Sequence, residues 1–140
     1  MSHRIEPPRL CPCFRYRDPE AALGWLTEVV GFTIRARHPE TGPPDHAELS
    51  FGSAMIMIGA VRDDAFGARV GAPGPGAGPQ GGKCLYVAVD DPDAIFARVR
   101  ASGVAVEEEP TDRSYGSREF LCRDPEGNLW SFGTYWPGSG

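Results

Sequence analysis

Two segments of the chain follow the same plan. DPEAALGWLTEVVGF starts at Asp18 and DPDAIFARVRASGV at Asp91, 73 residues later. Each opens with an aspartate, continues with a proline and an acidic residue, carries apolar side chains at three- and four-residue spacing, and ends at a glycine. An aspartate ahead of a helix accepts hydrogen bonds from the free N–H groups of the first turn. Proline at the first helical position loses no bond, and glycine takes the left-handed backbone that stops a helix. The stripes are Ala22, Trp25, Leu26 and Val29 in one helix and Ile95, Phe96 and Val99 in the other. An internal repeat of this kind decides the architecture before any single element does.

The surroundings of the two helices repeat as well. Arg9–Arg17 alternates and predicts a strand before the first helix. After that helix come FTIRARH, with Phe32, Ile34 and Ala36 on one face, and HAELSF, with Ala47, Leu49 and Phe51 opposite His46, Glu48 and Ser50. AMIMIGAV is continuously apolar and predicts a strand buried on both faces. The second unit repeats the order with KCLYVAV, the helix from Asp91, VAVEEEP, SREFLCR and NLWSFGTY. The expected fold is α+β: two βαβββ modules forming a curved, mostly antiparallel sheet around a concave cleft. Expected boundaries are a disordered start at 1–8, a first module at 9–61, a flexible Gly/Pro-rich linker at 62–82 and a second module at 83–136. The linker reads either as a spacer or as a flap over a site.

A chain of 140 residues with 41% hydrophobic content suits one globular domain. Its net charge of -5 and lack of a basic block argue against a nucleic-acid partner. No cationic-then-apolar leader opens the sequence, and no apolar run approaches the roughly 20 residues that cross a bilayer. The expectation is a cytoplasmic protein without membrane partners. The four cysteines, Cys11, Cys13, Cys84 and Cys122, are expected as free thiols. Only Cys11 and Cys13 are close in sequence, so a zinc site of four thiolates is disfavoured.

The stretch CRDPEGNLWSFGTYW (Cys122–Trp136) carries a turn, Asp124 to Asn128, and then a strand. The double βαβββ plan together with RDPEGNLWSF resembles the vicinal oxygen chelate superfamily, which includes glyoxalase I, extradiol dioxygenases, fosfomycin-resistance proteins and bleomycin-binding proteins. The resemblance runs from about Arg9 to Trp136. It implies the fold, a small-molecule cleft and a homodimer. Metal-dependent members carry His, Glu or Gln on the first, fourth, fifth and eighth strands. Those places fall here on Cys11, on Ile56 or Met57, on Cys84 and on Ser131. A thiol, a thioether or alkyl group, a second thiol and a hydroxyl hold Mg²⁺, Mn²⁺ or Fe²⁺ badly. No metal and no cofactor are therefore expected, and a register error of one residue supplies no better set.

The expected cleft set is Cys11, Cys13, Arg15, Met57, Cys84, Tyr86, Arg118, Trp130 and Ser131. Cys11 and Cys84 read either as a thiolate pair or as small buried fillers. Arg15, Arg35, Arg37 and Arg118 read as recognition groups for a carboxylate or phosphate, or as a solvated face. Trp130, Phe132, Tyr86, Tyr115, Tyr135 and Trp136 read as stacking partners for a planar ligand or as core. His46 and Glu48 share a strand face. They form the catalytic candidate, with His46 as general base, beside the alternative of an exposed polar face. Two functions follow: a metal-independent small-molecule binder of the bleomycin-resistance type, or a glyoxalase-type lyase or isomerase, either metal-free with His46 as base or with a displaced metal site using His46 and Glu48.

Overall fold

The computed structural model describes residues 6–71 and 82–138. Most of the expected disordered start and the Gly/Pro-rich part of the linker, residues 1–5 and 72–81, lie outside the described residues. The first unit contains β1 (Cys13–Tyr16), α1 (Pro19–Gly24), a π-helical segment (Trp25–Val30), β2 (Thr33–His38), β3 (His46–Phe51) and β4 (Ala54–Ala60). A short helix, α2 (Ala65–Val70), follows. The second unit contains β5 (Leu85–Ala88), α3 (Pro92–Ser102), β6 (Val106–Asp112), β7 (Arg118–Arg123) and β8 (Leu129–Gly133).

The two caps form as the sequence dictates. Asp18 Oδ1 accepts from Ala21 N at 3.0 Å, and Asp91 Oδ1 accepts from Ala94 N at 3.2 Å. The helices stop at Gly31 and Gly103, both with positive φ. The first helix departs from the expected stripe. Gly31 N reaches back five residues to Leu26 O at 3.0 Å, so its last turn is π-wound. The wider winding turns Val30 into the core and leaves Val29 only half-buried.

The strands form two four-stranded sheets, ordered β1-β4-β3-β2 and β5-β8-β7-β6. In each, the first strand runs parallel to the last and the other pairs are antiparallel. The two-module plan thus holds, with the expected sheet divided into two pieces. The helices cover one face of each sheet and leave the other open. β4 is covered on one face only: Ile56 and Ile58 are buried among the helices, while Met55 and Met57 are half-buried on the open face. A bulge in β2 between Ile34 and Ala36 breaks the expected alternation and leaves Ile34 exposed.

One core joins both modules. Trp130 of β8 stacks on Phe14 of β1 (6.0 Å) and on Phe132 (6.0 Å). It also meets Trp25 (6.2 Å) and Phe32 (6.1 Å) edge-on. Beside it lies the Asp124 carboxylate, 3% exposed. Asp124 Oδ2 accepts from Tyr16 Oη (2.7 Å), Trp130 Nε1 (3.1 Å) and Asn128 Nδ2 (2.9 Å). Asp124 Oδ1 accepts from the backbone N–H groups of Glu126 and Asn128. The carboxylate of Glu126 accepts from Arg17 N and Asp18 N, each at 2.7 Å. The Asp-Pro-Glu-Gly-Asn turn is therefore a clamp between the end of β1 and the start of β8.

The segment expected as a flexible linker, spacer or flap, begins with structure. Asp64 caps α2 through Gly67 N (2.6 Å), and Arg62 pairs with Asp45 (2.8 Å). The helix lies so close to its own approach that a Cβ on Gly67 would sit 2.0 Å from Arg62 O, so only glycine fits.

Candidate functional site

Strand alternation places Cys13 and Arg15 of β1, Met57 and Gly59 of β4, and His46 and Glu48 of β3 on the open face of the first sheet. The registers Cys13–Met57, Glu48–Met57 and His46–Gly59 bring them side by side. In the second sheet the open face carries Cys84, Tyr86, Glu119, Leu121, Leu129 and Ser131, with Ser131 between Tyr86 and Leu121. Two cavities open along this side. One of about 570 Å³ lies where β1 meets β5 and β8, between Cys13, Arg15, Lys83, Cys84, Leu129 and Val70 of α2. The other, of about 330 Å³, lies over the first sheet between Arg15, His46, Met57 and Phe66 of α2. Cys13, Phe14 and Arg15 border both.

Two members of the expected cleft set lie elsewhere. Arg118 shares its strand parity with the buried Phe120 and Cys122, so it points to the helix side. There it pairs with Asp93 of α3 (2.9 Å) and Asp112 (3.1 Å). Trp130 is 0% exposed for the same reason. It lies beneath a cavity of about 350 Å³ beside Leu10 and Met55 but forms core rather than cleft wall. Phe132 is also core, whereas Tyr115, Tyr135 and Trp136 are exposed. Cys11, half-buried, precedes β1. Of the other arginines, Arg35 donates to Ser50 Oγ (2.7 Å) and Arg37 to the backbone of its own turn. His46 Nε2 and Glu48 Oε2 stand 3.4 Å apart, and both residues are half-buried.

Sequence reasoning missed a polar cluster on the second open face. Glu119, 8% exposed, accepts from Tyr115 Oη (2.8 Å) and Arg113 Nε (3.2 Å), and Arg113 also pairs with Glu108. Burial pushes the Glu119 carboxyl up, but Tyr115, Ser117 and Arg113 together outweigh it and hold the group below the usual range. Tyr86 Oη donates to the carbonyl of Tyr135. Gly133 makes room for both: a Cβ there would lie 2.6 Å from Glu119 Cγ and 2.8 Å from Tyr86 Oη. Alternation with Phe120 marked Glu119 as outward-facing. Only the fold of 113–117 back over it makes the site polar and enclosed.

The thiols differ sharply. Burial first, then the charges of Asp124 and Cys84, pushes Cys122 up to about 12, while Cys13 and Cys84 are exposed. Burial also pushes the Cys84 thiol up, so titration of the folded protein with a chromogenic disulfide should consume Cys13 quickly and Cys84 and the half-buried Cys11 more slowly. Cys122 should react only in denaturant. Four equal rates would contradict this packing.

Residues 11–132 match the family described as Glyoxalase/Bleomycin resistance protein/Dioxygenase superfamily. The chain belongs to this family. TioX from Micromonospora sp. ML1 is 30% identical with a TM-score of 0.72, the match covering 92% of this chain and 99% of TioX. Two others share the fold. TnmS3 from Streptomyces sp. CB03234, described as an antibiotic binding protein, is 23% identical (TM-score 0.64; 93% and 97% covered). A lactoylglutathione lyase from Agrobacterium tumefaciens is 24% identical (TM-score 0.60; 91% and 94% covered). No curated protein matches the chain. Among the described residues, no helix of this glyoxalase/bleomycin-resistance family member is long and apolar enough to cross a membrane.

The metal positions of the family can now be placed. The parallel registers pair Cys13 with Met57 and Tyr86 with Ser131, so Met57 is the counterpart of Ser131, and Ile56 faces the helices. With Met57 taken over Ile56, the set that the resemblance implies is Cys11, Met57, Cys84 and Ser131. It offers no imidazole and no carboxylate, and it does not fit a hard or borderline divalent ion. Among the described residues, no group of three or more His, Cys, Asp or Glu is gathered to hold a metal.

Proposed function

We propose that this family member binds a small organic molecule along its open sheet faces without a divalent metal. The observation that carries the proposal is the lining itself. Two neighbouring cavities combine apolar and aromatic walls with Arg15, and the positions that the family resemblance implies for metal ligands carry Cys11, Met57, Cys84 and Ser131. Apolar concavities with a few polar anchors suit ligand binding. The antibiotic bound by TnmS3, a protein of the same fold, supplies the first ligand class to test. In equilibrium dialysis against aromatic and glycopeptide antibiotics, the protein should retain at least one. Its affinity should be unchanged by a chelator. Binding that vanishes with the chelator and returns with Mn²⁺ or Zn²⁺ would overturn the metal-free reading. A homodimer and a cytoplasmic setting without nucleic-acid partners belong to the same proposal. Sedimentation in the presence and absence of a bound antibiotic checks the first of these.

A second reading, a glyoxalase-type lyase or isomerase, rests on the pairing of His46 with Glu48 beside the smaller cavity. It requires turnover of an α-oxo substrate that His46→Ala abolishes. Unchanged turnover in that variant removes His46 as the base.

A further inference from the structure

Arg15 holds an unusual set of neighbours. Its Nη1 donates to Ala60 O (3.1 Å), and its Nη2 lies 3.8 Å from Asp64 Oδ2. Its Cζ stands 4.8 Å from the centroid of the Phe66 ring. Asp64 and Phe66 both belong to the α2 region, and Phe66 is 50% exposed although it contributes to a cavity wall. α2 thus offers Arg15 a carboxylate and a phenyl ring. A guanidinium recognises the same two groups in an aromatic acid: it takes a carboxylate by paired hydrogen bonds and a ring by its face. The contact with Asp64 is longer than a hydrogen bond, so this guanidinium edge is poorly used.

We propose that α2 is a built-in stand-in for the ligand, and that the ligand is an aromatic molecule bearing a carboxylate or a similar anion. The proposal rests on the reading of the open faces as a binding surface and names its ligand class. The incoming anion takes the place of the Asp64 carboxylate on Arg15, and the incoming ring takes the place of Phe66. Asp64 also caps α2 through Gly67 N. A helix of six residues has little stability of its own. Displacement of Asp64 and Phe66 therefore frees α2, which borders both cavities through Phe66 and Val70, and the two cavities become one trough running past Arg15.

The test uses the full chain and two matched probes, 2-naphthoate and the uncharged 2-naphthamide, titrated by fluorescence or calorimetry. Wild type should prefer naphthoate. Phe66→Ala and Phe66→Leu should each bind naphthoate roughly two- to fivefold more tightly, the size of an exposed cation–π contact removed from competition. Asp64→Asn, which keeps a capping side chain, should tighten it similarly. Arg15→Gln should abolish the preference for naphthoate over naphthamide. Phe66 is half-exposed, so an unchanged melting transition should confirm that the variants are folded. Weaker or unchanged naphthoate binding in both Phe66 variants would overturn the stand-in role. A preference that survives Arg15→Gln would overturn the anion site. If neither probe binds while an antibiotic is retained in dialysis, the ligand class is wrong and the binding function stands. If nothing binds at all, the binding function falls first.

Discussion

Asp124→Ala should unfold in urea or heat far earlier than the native chain, with a loss on the order of 4 kcal/mol. The carboxylate accepts five hydrogen bonds, and two of them come from side chains with no exposed surface, Tyr16 and Trp130. Its removal leaves the Tyr16 hydroxyl and the indole N–H buried without acceptors, at about 1–3 kcal/mol each, and loosens the turn that positions Glu126. A domain of this size has about 5–15 kcal/mol in total, so the variant gives up from about a quarter to most of it. The melting temperature should fall by more than about 10 °C. Asp124→Asn retains an acceptor oxygen and should fall between the two. A melting temperature for the alanine variant within about 3 °C of wild type would show that the clamp is not what holds the modules together.

Trp130→Ala should cost about 3–5 kcal/mol, the range for removing a large buried aromatic. The ring contacts Phe14, Trp25, Phe32 and Phe132, which come from both modules, so the cavity left behind cannot collapse from one side alone. This variant also separates two roles for the residue. A cleft wall would lose ligand and keep stability, whereas a core residue loses stability first. Urea denaturation followed by circular dichroism decides it, and a loss under about 1 kcal/mol would return Trp130 to the cleft. Because Trp130 and Asp124 are bonded to each other, the double variant should lose less than the sum of the singles.

The contrast between Trp130 and Ser131 shows what the sequence could convey. Alternation along β8 placed Trp130 with Phe132 on one face and Ser131 on the other, and both placements hold. Alternation does not say which face carries the helices, and a cleft set holding both Trp130 and Ser131 draws on both faces of β8. The caps at Asp18 and Asp91 were legible because capping is a local hydrogen bond between near neighbours. The role of Asp124 was not, because its partner Tyr16 lies 108 positions away. α2 was hidden by the glycine-rich stretch that follows it, although Asp64 three residues before Gly67 is a capping signal of the same kind. The π-wound turn left no mark in composition; it buries Val30 and leaves Val29 half-buried.

The repeated backbone carries unlike linings. The first open face offers thiol, thioether and imidazole groups from Cys13, Met57 and His46. The second offers phenol and carboxylate groups from Tyr86 and Glu119. The cavity at the junction therefore has unlike walls, Cys13 and Arg15 from the first module and Lys83, Cys84 and Leu129 from the second. The two halves are copies in backbone and not in chemistry, so the pseudo-symmetry of the fold does not extend to the surface it encloses.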